Sequence, residues 1–400
     1  MIYKSKYPEV AVVDRPVHEW VLGEAARRAT RPAMVDVSSG RTLTYGELAA
    51  LVRQLAAGLA AEGIGKGDVV ALHSPNTILF PVVLYATTTA GGTVTTLSPP
   101  ATPAEIAKQL IDAEARLMVS VSALIESARA AVELVRRQTG RDIEILVCDT
   151  AGGHRSVLGL LRDGDVPAFE LDPAVDVAVL PYSSGTTGVP KGVMLTHRNL
   201  CTNLEQMNGL HRIDENDRVI AILPFFHIFG LTALVNNALH RGATVYVHSR
   251  FDLDAFLTSL ERDRITHAYV APPVMLVLAK HRAFGNLDLS HLRRGATRRR
   301  TASGGGRPAG RGDRAGVRND RTVPRLASPC RRQPRRARRV RGTPAPVHAG
   351  TPGRPGHRAG RGAGYTGRGV DPGTAGDEGL LRSTGGHRRD DRHRRLAAHR

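Results

Sequence analysis

The chain has 400 residues, a formal net charge of +19 and an isoelectric point of about 10.8, a length that accommodates two or three domains. The charge is unevenly placed: Arg294 to Arg400 holds 28 of the 56 basic residues, all Arg, and seven of the 37 acidic ones, so this tail carries +21 and the preceding 293 residues −2. The tail also holds 21 of the 42 Gly, one aromatic (Tyr365) and nine Val and Leu, too few to offset roughly 1–2 kcal/mol of backbone entropy per ordered residue, so it is expected to be disordered.

Residues 1–293 have the composition of an ordinary globular protein. Cys148, Cys201 and Cys330 show neither CxxC nor metal-ligand spacing, which excludes a disulfide framework and a zinc module and suits a reducing cytoplasm. The opening MIYKSKYPEV lacks the apolar core of a secretory signal, and no run approaches about 18 uninterrupted apolar residues, so no membrane span is expected.

In chain order, Thr44 and Glu47 form a capping box that opens a helix carrying Leu48, Leu51, Leu55 and Leu59, with Gly63 and Gly65 stopping it. VVALHSP then reads as a strand, ILFPVVLYATTTA as a helix, TVTTLSP as a strand, and Thr102 opens a helix over Ala104 to Ala113. LMVSVS, a helix over 123–138 and EILVCD follow, and after Pro173 the pattern resumes with VAVLPYSSG, VIAILPFFH, ATVYVHS and THAYVAPP. Strands alternating with helices predict an α/β domain with doubly wound, buried parallel sheets. No internal repeat is present.

Residues 180–197, LPYSSGTTGVPKGVMLTH, run from an apolar strand into a loop of hydroxyls and glycines that ends at Lys191. Such a loop can wrap phosphate oxygens with backbone N–H groups and hydroxyls, glycine supplying positive-φ turns and Lys a charge. It is not a Walker A loop, because no Ser or Thr follows the Lys. Taken alone, a short Gly-rich match reads equally well as a surface turn between strands.

SSGTTGVPKG resembles the signature of the adenylate-forming superfamily: acyl-CoA synthetases, luciferases and peptide-synthetase adenylation domains. LTYGEL (43–48), LHSPN (72–76), LPFFHIFGLTAL (223–234), RFDL (250–253) and YVAPPV (269–274) bring the likeness closer to 4-coumarate:CoA and cinnamate:CoA ligases, from about residue 8 to Arg293. The resemblance implies that residues 1–293 are the incomplete large N-terminal domain of such a ligase, using ATP, Mg²⁺ and coenzyme A. It further implies that Ser183, Ser184, Gly185, Thr186, Thr187, Gly188 and Lys191 bind the ATP phosphates.

By the same resemblance His227 orients the carboxylate and ring of the acyl substrate, and Phe229 stands where many hydroxycinnamate ligases carry Tyr. An apolar pocket discriminates a ring without the 4-hydroxyl by only about one to two orders of magnitude, so cinnamate and 4-coumarate stay open. From the residues alone, His227 reads as a half-buried strand-end histidine. Ala233, expected on the same helical face one turn on from Phe229, lines the pocket or packs in the core. Val270, Ala271, Pro272 and Pro273 close the pocket wall or end a strand, and Arg250 contacts a coenzyme A phosphate or is a solvated charge.

Beyond Arg293 the resemblance calls for an SGAAPL-type segment, a YGMTE motif whose acid holds Mg²⁺, a TGD motif whose Asp binds ribose, and a C-terminal domain with a catalytic Lys. None is present, so no catalytic residue and no metal ligand is assigned. Codons for Arg314–Pro324 can be chosen so that the adjacent frame reads GQGYGMTELSP, and those for Gly376–Arg400 so that it reads VMKGYFGQPEATAATIDTDGWLHT. Residues 294–400 are therefore read as a frame-shifted tail on a truncated ligase with little or no activity.

Other readings are a fatty or other aryl acid:CoA ligase, a catalytically dead adenylate-binding protein, and a polyanion binder acting through RRQPRRARRV (331–340). That last segment would bind nucleic acid non-specifically and in a strongly salt-dependent way, with no motif for specific recognition. Oligomeric state is not legible.

Overall fold

The computed structural model describes residues 7–183, 190–285 and 287–293, all within the unit that runs to Leu326. The disordered tail expected over 294–400 lies outside the described residues.

The chain opens with helix α1 (Val17–Leu22) and an antiparallel pair, β1 (Pro32–Asp36) and β2 (Thr42–Thr44). Helix α2 (Tyr45–Ala61) follows, and Thr44 and Glu47 make the anticipated reciprocal cap. Of the two glycines expected to stop it, Gly63 takes the left-handed conformation at φ +80° and Gly65 does not. Next come β3 (Val69–His73), α3 (Phe80–Thr89) with Pro81 in its first turn, and β4 (Thr93–Leu97). Helix α4 (Pro103–Asp112) is capped by the Thr102–Glu105 box, and β5 (Leu117–Ser120) follows. The helix expected over 123–138 is α5 (Ile125–Thr139), preceded by one 3₁₀ turn and closed by Gly140 at φ 73°. It leads to β6 (Glu144–Val147) and β7 (Arg155–Ser156).

The run VAVLPYSSG, read as one strand, is two: β8 (Val177–Val179) and β9 (Tyr182–Ser183). Pro181 between them has no N–H for a ladder, and the two pieces join different sheets. Then come β10 (Lys191–Gly192), β11 (Leu195–Thr196), α6 (His197–His211) and β12 (Arg218–Ala221). A π-helical segment, Gly230–Asn236, runs into α7 (Asn237–His240), followed by β13 (Thr244–Val247) and α8 (Leu253–Arg262). Strand β14 is only His267–Ala268, because Pro272 and Pro273 start helix α9 (Pro272–Lys280).

Among the described residues, a seven-stranded sheet runs β11-β8-β4-β3-β5-β6-β7 and a five-stranded one β14-β12-β13-β1-β2. Only β11 and β2 pair antiparallel to their sheets. Strand β4 lies on one side of β3 and β5 on the other, so β3 marks the reversal of winding where a crevice opens beyond the carboxyl ends of parallel strands. The main core joins both sheets: Leu72, Val70 and Val94 from one, Met34, Val219 and Val245 from the other, with Leu48, Leu55, Phe80 and Tyr85 from α2 and α3 between them. Tyr45 and Tyr85, nearly inaccessible, satisfy their hydroxyls on Ala243 O at 2.7 Å and Asn236 Oδ1 at 2.8 Å.

Candidate active site

The phosphate-loop candidate leaves the carboxyl end of β8, which pairs with β4 at Val94 and Val179. Side chains of β4 fix the departure: Thr93 Oγ1 donates to Val177 O at 2.6 Å, and Thr95 Oγ1 to Leu180 O at 2.8 Å. Strands β9 and β10 then form an antiparallel ladder with Lys191 opposite Ser183. The hairpin therefore closes the loop with an exposed hydroxyl and an exposed ammonium facing each other across its neck. Ser184, Gly185, Thr186, Thr187 and Gly188 lie outside the described residues. Tyr182, beside Ser183, donates its phenol hydrogen to Asp112 at the end of α4, and burial together with that carboxylate pushes its ionisation up. Gly192 leaves room for the same ring: a Cβ there would sit 3.2 Å from it.

The second candidate loop follows β12. His227 is exposed and lies beyond the strand, contrary to its reading as a half-buried strand-end residue. The strand stops at Ala221, and Pro224 bars its continuation. His227 Nδ1 accepts the Phe229 N–H at 3.2 Å, so a neutral ring carries its own hydrogen on Nε2. Gly230 permits the turn: a Cβ there would meet the Pro224 carbonyl oxygen at 1.9 Å. Phe229 is 40% exposed, whereas Ala233 is fully buried. Of the two alternatives for Ala233, pocket wall or core, its burial matches the core, within a π-helical segment, Gly230–Asn236.

Phe229 meets Tyr269 edge to face, with ring centroids 6.0 Å apart. This contact joins the LPFFHIFG loop to YVAPPV, where Val270 and Ala271 are half-buried and Pro272 is exposed as the first residue of α9. Sequence reasoning on YVAPPV misses Tyr269, whose available signal is an aromatic at the exit of a short strand. The loops are also tied through β4 and β3. Thr96 Oγ1 donates to Phe226 O at 2.7 Å, and Asn76, three residues past β3, bonds to the backbone of 221–225. Both loops thus leave carboxyl ends of parallel strands and are held by adjacent residues of β4.

Arg250 is exposed at the mouth of a cleft of about 330 Å³ beyond the carboxyl ends of β1 and β13, with Ser38, His248, Ser249, Thr258 and Arg262 also lining it. His248 Nε2 and Ser259 Oγ, both buried there, have no hydrogen-bond partner, and burial holds the His248 pKa below its usual value. Another cleft of about 420 Å³ includes Asp36, Arg41, Cys148 and Asp149. Its carboxylates are already engaged, Asp36 by the Ser38 and Ser39 amides and Asp149 by Ser122. Burial pushes the Cys148 thiol up to about 12, which leaves no thiolate nucleophile. No group of three or more His, Cys, Asp or Glu placed to hold a metal occurs among the described residues, and no helix there is long and apolar enough to cross a membrane.

Comparison with known proteins gives these residues a context. The AMP-binding enzyme family matches residues 22–317. A 4-coumarate–CoA ligase of Oryza sativa subsp. japonica is 35% identical over 297 residues, 73% of this chain and 54% of that protein. One from Pinus taeda is 35% identical over 301 residues, 73% of this chain and 55% of that protein. The chain spans about half the length of these relatives. A long-chain-fatty-acid–CoA ligase from Archaeoglobus fulgidus superposes with a TM-score of 0.64 at 25% identity, covering 72% of this chain and 59% of that one. A benzoate CoA ligase from Burkholderia xenovorans LB400 shares the fold, with a TM-score of 0.60 at 24% identity, covering 68% of this chain and 53% of that one. On the span of the family match and the identity to these relatives, the chain belongs to the AMP-binding enzyme family.

Proposed function

We propose that this chain is the N-terminal part of an AMP-forming acid:CoA ligase, acting on an arylpropenoic acid such as cinnamate or 4-coumarate. The observation that carries this reading is the joint tethering of two loops to adjacent residues of β4, Thr95 and Thr96: the hairpin ending in Ser183 and Lys191, and the loop bearing His227 and Phe229. The aromatic contact between Phe229 and Tyr269 supports a flat, unsaturated acid over a flexible aliphatic one. The naming of the 35%-identical relatives for 4-coumarate points the same way.

A carboxylate acylates poorly because its leaving group would be oxide. In the proposed first step a carboxylate oxygen attacks the α-phosphorus of ATP, the bond to pyrophosphate breaks, and an acyl-adenylate forms. In the second, the coenzyme A sulfur attacks the acyl carbon, the bond to AMP breaks, and the thiol proton passes to solvent. Two anions must approach in step one, and fixed N–H groups, Ser183 and Lys191 lower that repulsion. Ser184, Gly185, Thr186, Thr187 and Gly188 are assigned to the same phosphates. His227 orients the carboxylate through Nε2–H, Phe229 with Val270, Ala271 and Pro272 lines the ring site, and Arg250 takes a coenzyme A phosphate at its cleft. When bound, Mg²⁺ would offset phosphate charge.

Residues 294–400 would be the frame-shifted remainder of such a ligase. Without the ribose Asp and catalytic Lys called for beyond Arg293, turnover falls by about 10²–10⁴-fold or more relative to an intact ligase. Buried, unpaired Cys148 and Cys201 support a cytoplasmic setting. The test is cinnamate-dependent pyrophosphate release by this chain and by a frame-restored version, with palmitate and benzoate as competitors, alongside resequencing of the codons for His291–Ala309. Release by the restored protein with palmitate but not cinnamate refutes the substrate class; no release with any acid refutes the ligase.

A further inference from the structure

We propose that Asn76 and Thr96 are positioning residues for the acyl loop, an inference that rests on the ligase reading above. Asn76 is 5% exposed and spans the gap between the two sheets: it follows β3 of one and binds the chain leaving β12 of the other. Its Oδ1 accepts the Phe225 N–H at 2.8 Å, while Nδ2 donates to Leu223 O at 3.0 Å and to Ala221 O at 3.4 Å. Those partners define the amide's orientation, since a rotated group would set oxygen against two carbonyls and N–H₂ against an N–H.

Thr96, 4% exposed on β4, adds the bond to Phe226 O, and Gln109 of α4 donates to Thr96 O at 3.0 Å and to Thr95 Oγ1 at 2.9 Å. Backbone groups at 221, 223, 225 and 226 are therefore held by side chains from outside the loop, immediately before His227. Pro224 removes one donor from this stretch, so it has no ladder of its own and takes its path from these contacts. Neither residue need touch substrate. Each acts through the placement of His227 and Phe229, and a displacement of about 1 Å at such groups is enough to lose 10²-fold in a reaction that depends on alignment.

The decisive variants of the full chain are Asn76→Asp, which keeps the shape but turns an oxygen toward the Leu223 and Ala221 carbonyls, and Thr96→Val. Tyr45→Phe is the control, a buried hydroxyl lost from the α2 side of the core. Two readouts are taken: amide hydrogen exchange across 222–231, and binding of cinnamoyl-sulfamoyl-adenosine, a stable mimic of the acyl-adenylate, against ATP alone. Positioning requires faster exchange confined to 222–231 in both variants. It also requires at least tenfold weaker mimic binding for Asn76→Asp and about threefold for Thr96→Val, with ATP affinity within twofold. Unchanged mimic affinity in Asn76→Asp, with the parent chain binding normally, overturns the inference and leaves the ligase reading intact. Exchange raised throughout the chain, as in a general loss of stability like that of Tyr45→Phe, overturns it too. A parent chain that binds neither mimic nor ATP overturns the positioning role for this chain, while the ligase reading is decided separately by pyrophosphate release from the frame-restored protein.

Discussion

Acid sensitivity should centre on two neutral histidines that hold the N-terminal segment against α6. The His18 and His197 rings stand edge to face with centroids 6.2 Å apart, and burial lowers both pKa values from 6.5 to about 4. His197 Nδ1 accepts the Val17 N–H at 3.0 Å, an acceptor role that a protonated imidazole cannot fill. His18 Nδ1 lies 3.2 Å from Thr88 Oγ1. Asp176 and Glu19 favour the charged form of His197, but burial and the neighbouring His18 outweigh them.

Because the folded pKa is depressed, the unfolded chain takes up a proton below pH 6.5 that the folded chain refuses. The stabilisation is complete above 6.5 and lost as pH falls toward 4. For His197 alone, a shift of this size corresponds to about 2 kcal/mol lost by pH 5 and about 3 kcal/mol by pH 4. His197→Asn retains an acceptor for Val17 without a titrating group. Urea unfolding of both proteins between pH 7.5 and 4.5 should show the parent losing about 2 kcal/mol more than the variant on acidification. Carboxylates and the other buried histidines contribute to both and cancel. A difference that stays constant with pH would refute the assignment.

Gly230→Ala should force the π-helical segment away from the Pro224 carbonyl, costing roughly 1–3 kcal/mol in thermal stability and lowering affinity for the acyl-adenylate mimic; unchanged values would show that the loop relaxes freely. Thr44→Ala and Thr102→Ala each remove one capping box, and a loss of about 1 kcal/mol apiece, additive in the double variant, is expected from denaturant titration. The Cys148 and Cys201 thiols, both pushed up to about 12 by burial, should resist an aromatic disulfide reagent at pH 8 in the native chain and react in urea. Lys191→Gln should weaken ATP binding about tenfold with little effect on melting, because its side chain is exposed at the hairpin neck.

Local chemistry made much of the first sheet legible. Thr44–Glu47 and Thr102–Glu105 announce their helices because the cap is completed within four residues, whatever the rest of the chain does. Buried parallel strands such as VVALH and TVTTL show themselves as short β-branched runs between helices. The proposed phosphate loop rests on composition, and Ser184, Gly185, Thr186, Thr187 and Gly188 lie outside the described residues. Elements whose stability comes from partners were harder to read: β1 is short and takes its parallel partner from β13, more than 200 residues away, while β2 is three residues that pair only with β1. The apolar run through Pro181 reads continuously, yet its two pieces belong to different sheets.

The sequence by itself determined the alternation of strand and helix and the capped helix starts, settled by interactions a few residues long. The tertiary structure alone decided that His227 is exposed beyond its strand, that Ala233 is buried while Phe229 is exposed, and that Phe229 meets Tyr269. It also decided that Asn76 and Thr96 bind a loop some 130 to 150 positions later in the chain. These outcomes depend on how two sheets bring their strand ends together, and that juxtaposition comes from burying both faces in one core, which no local spacing encodes.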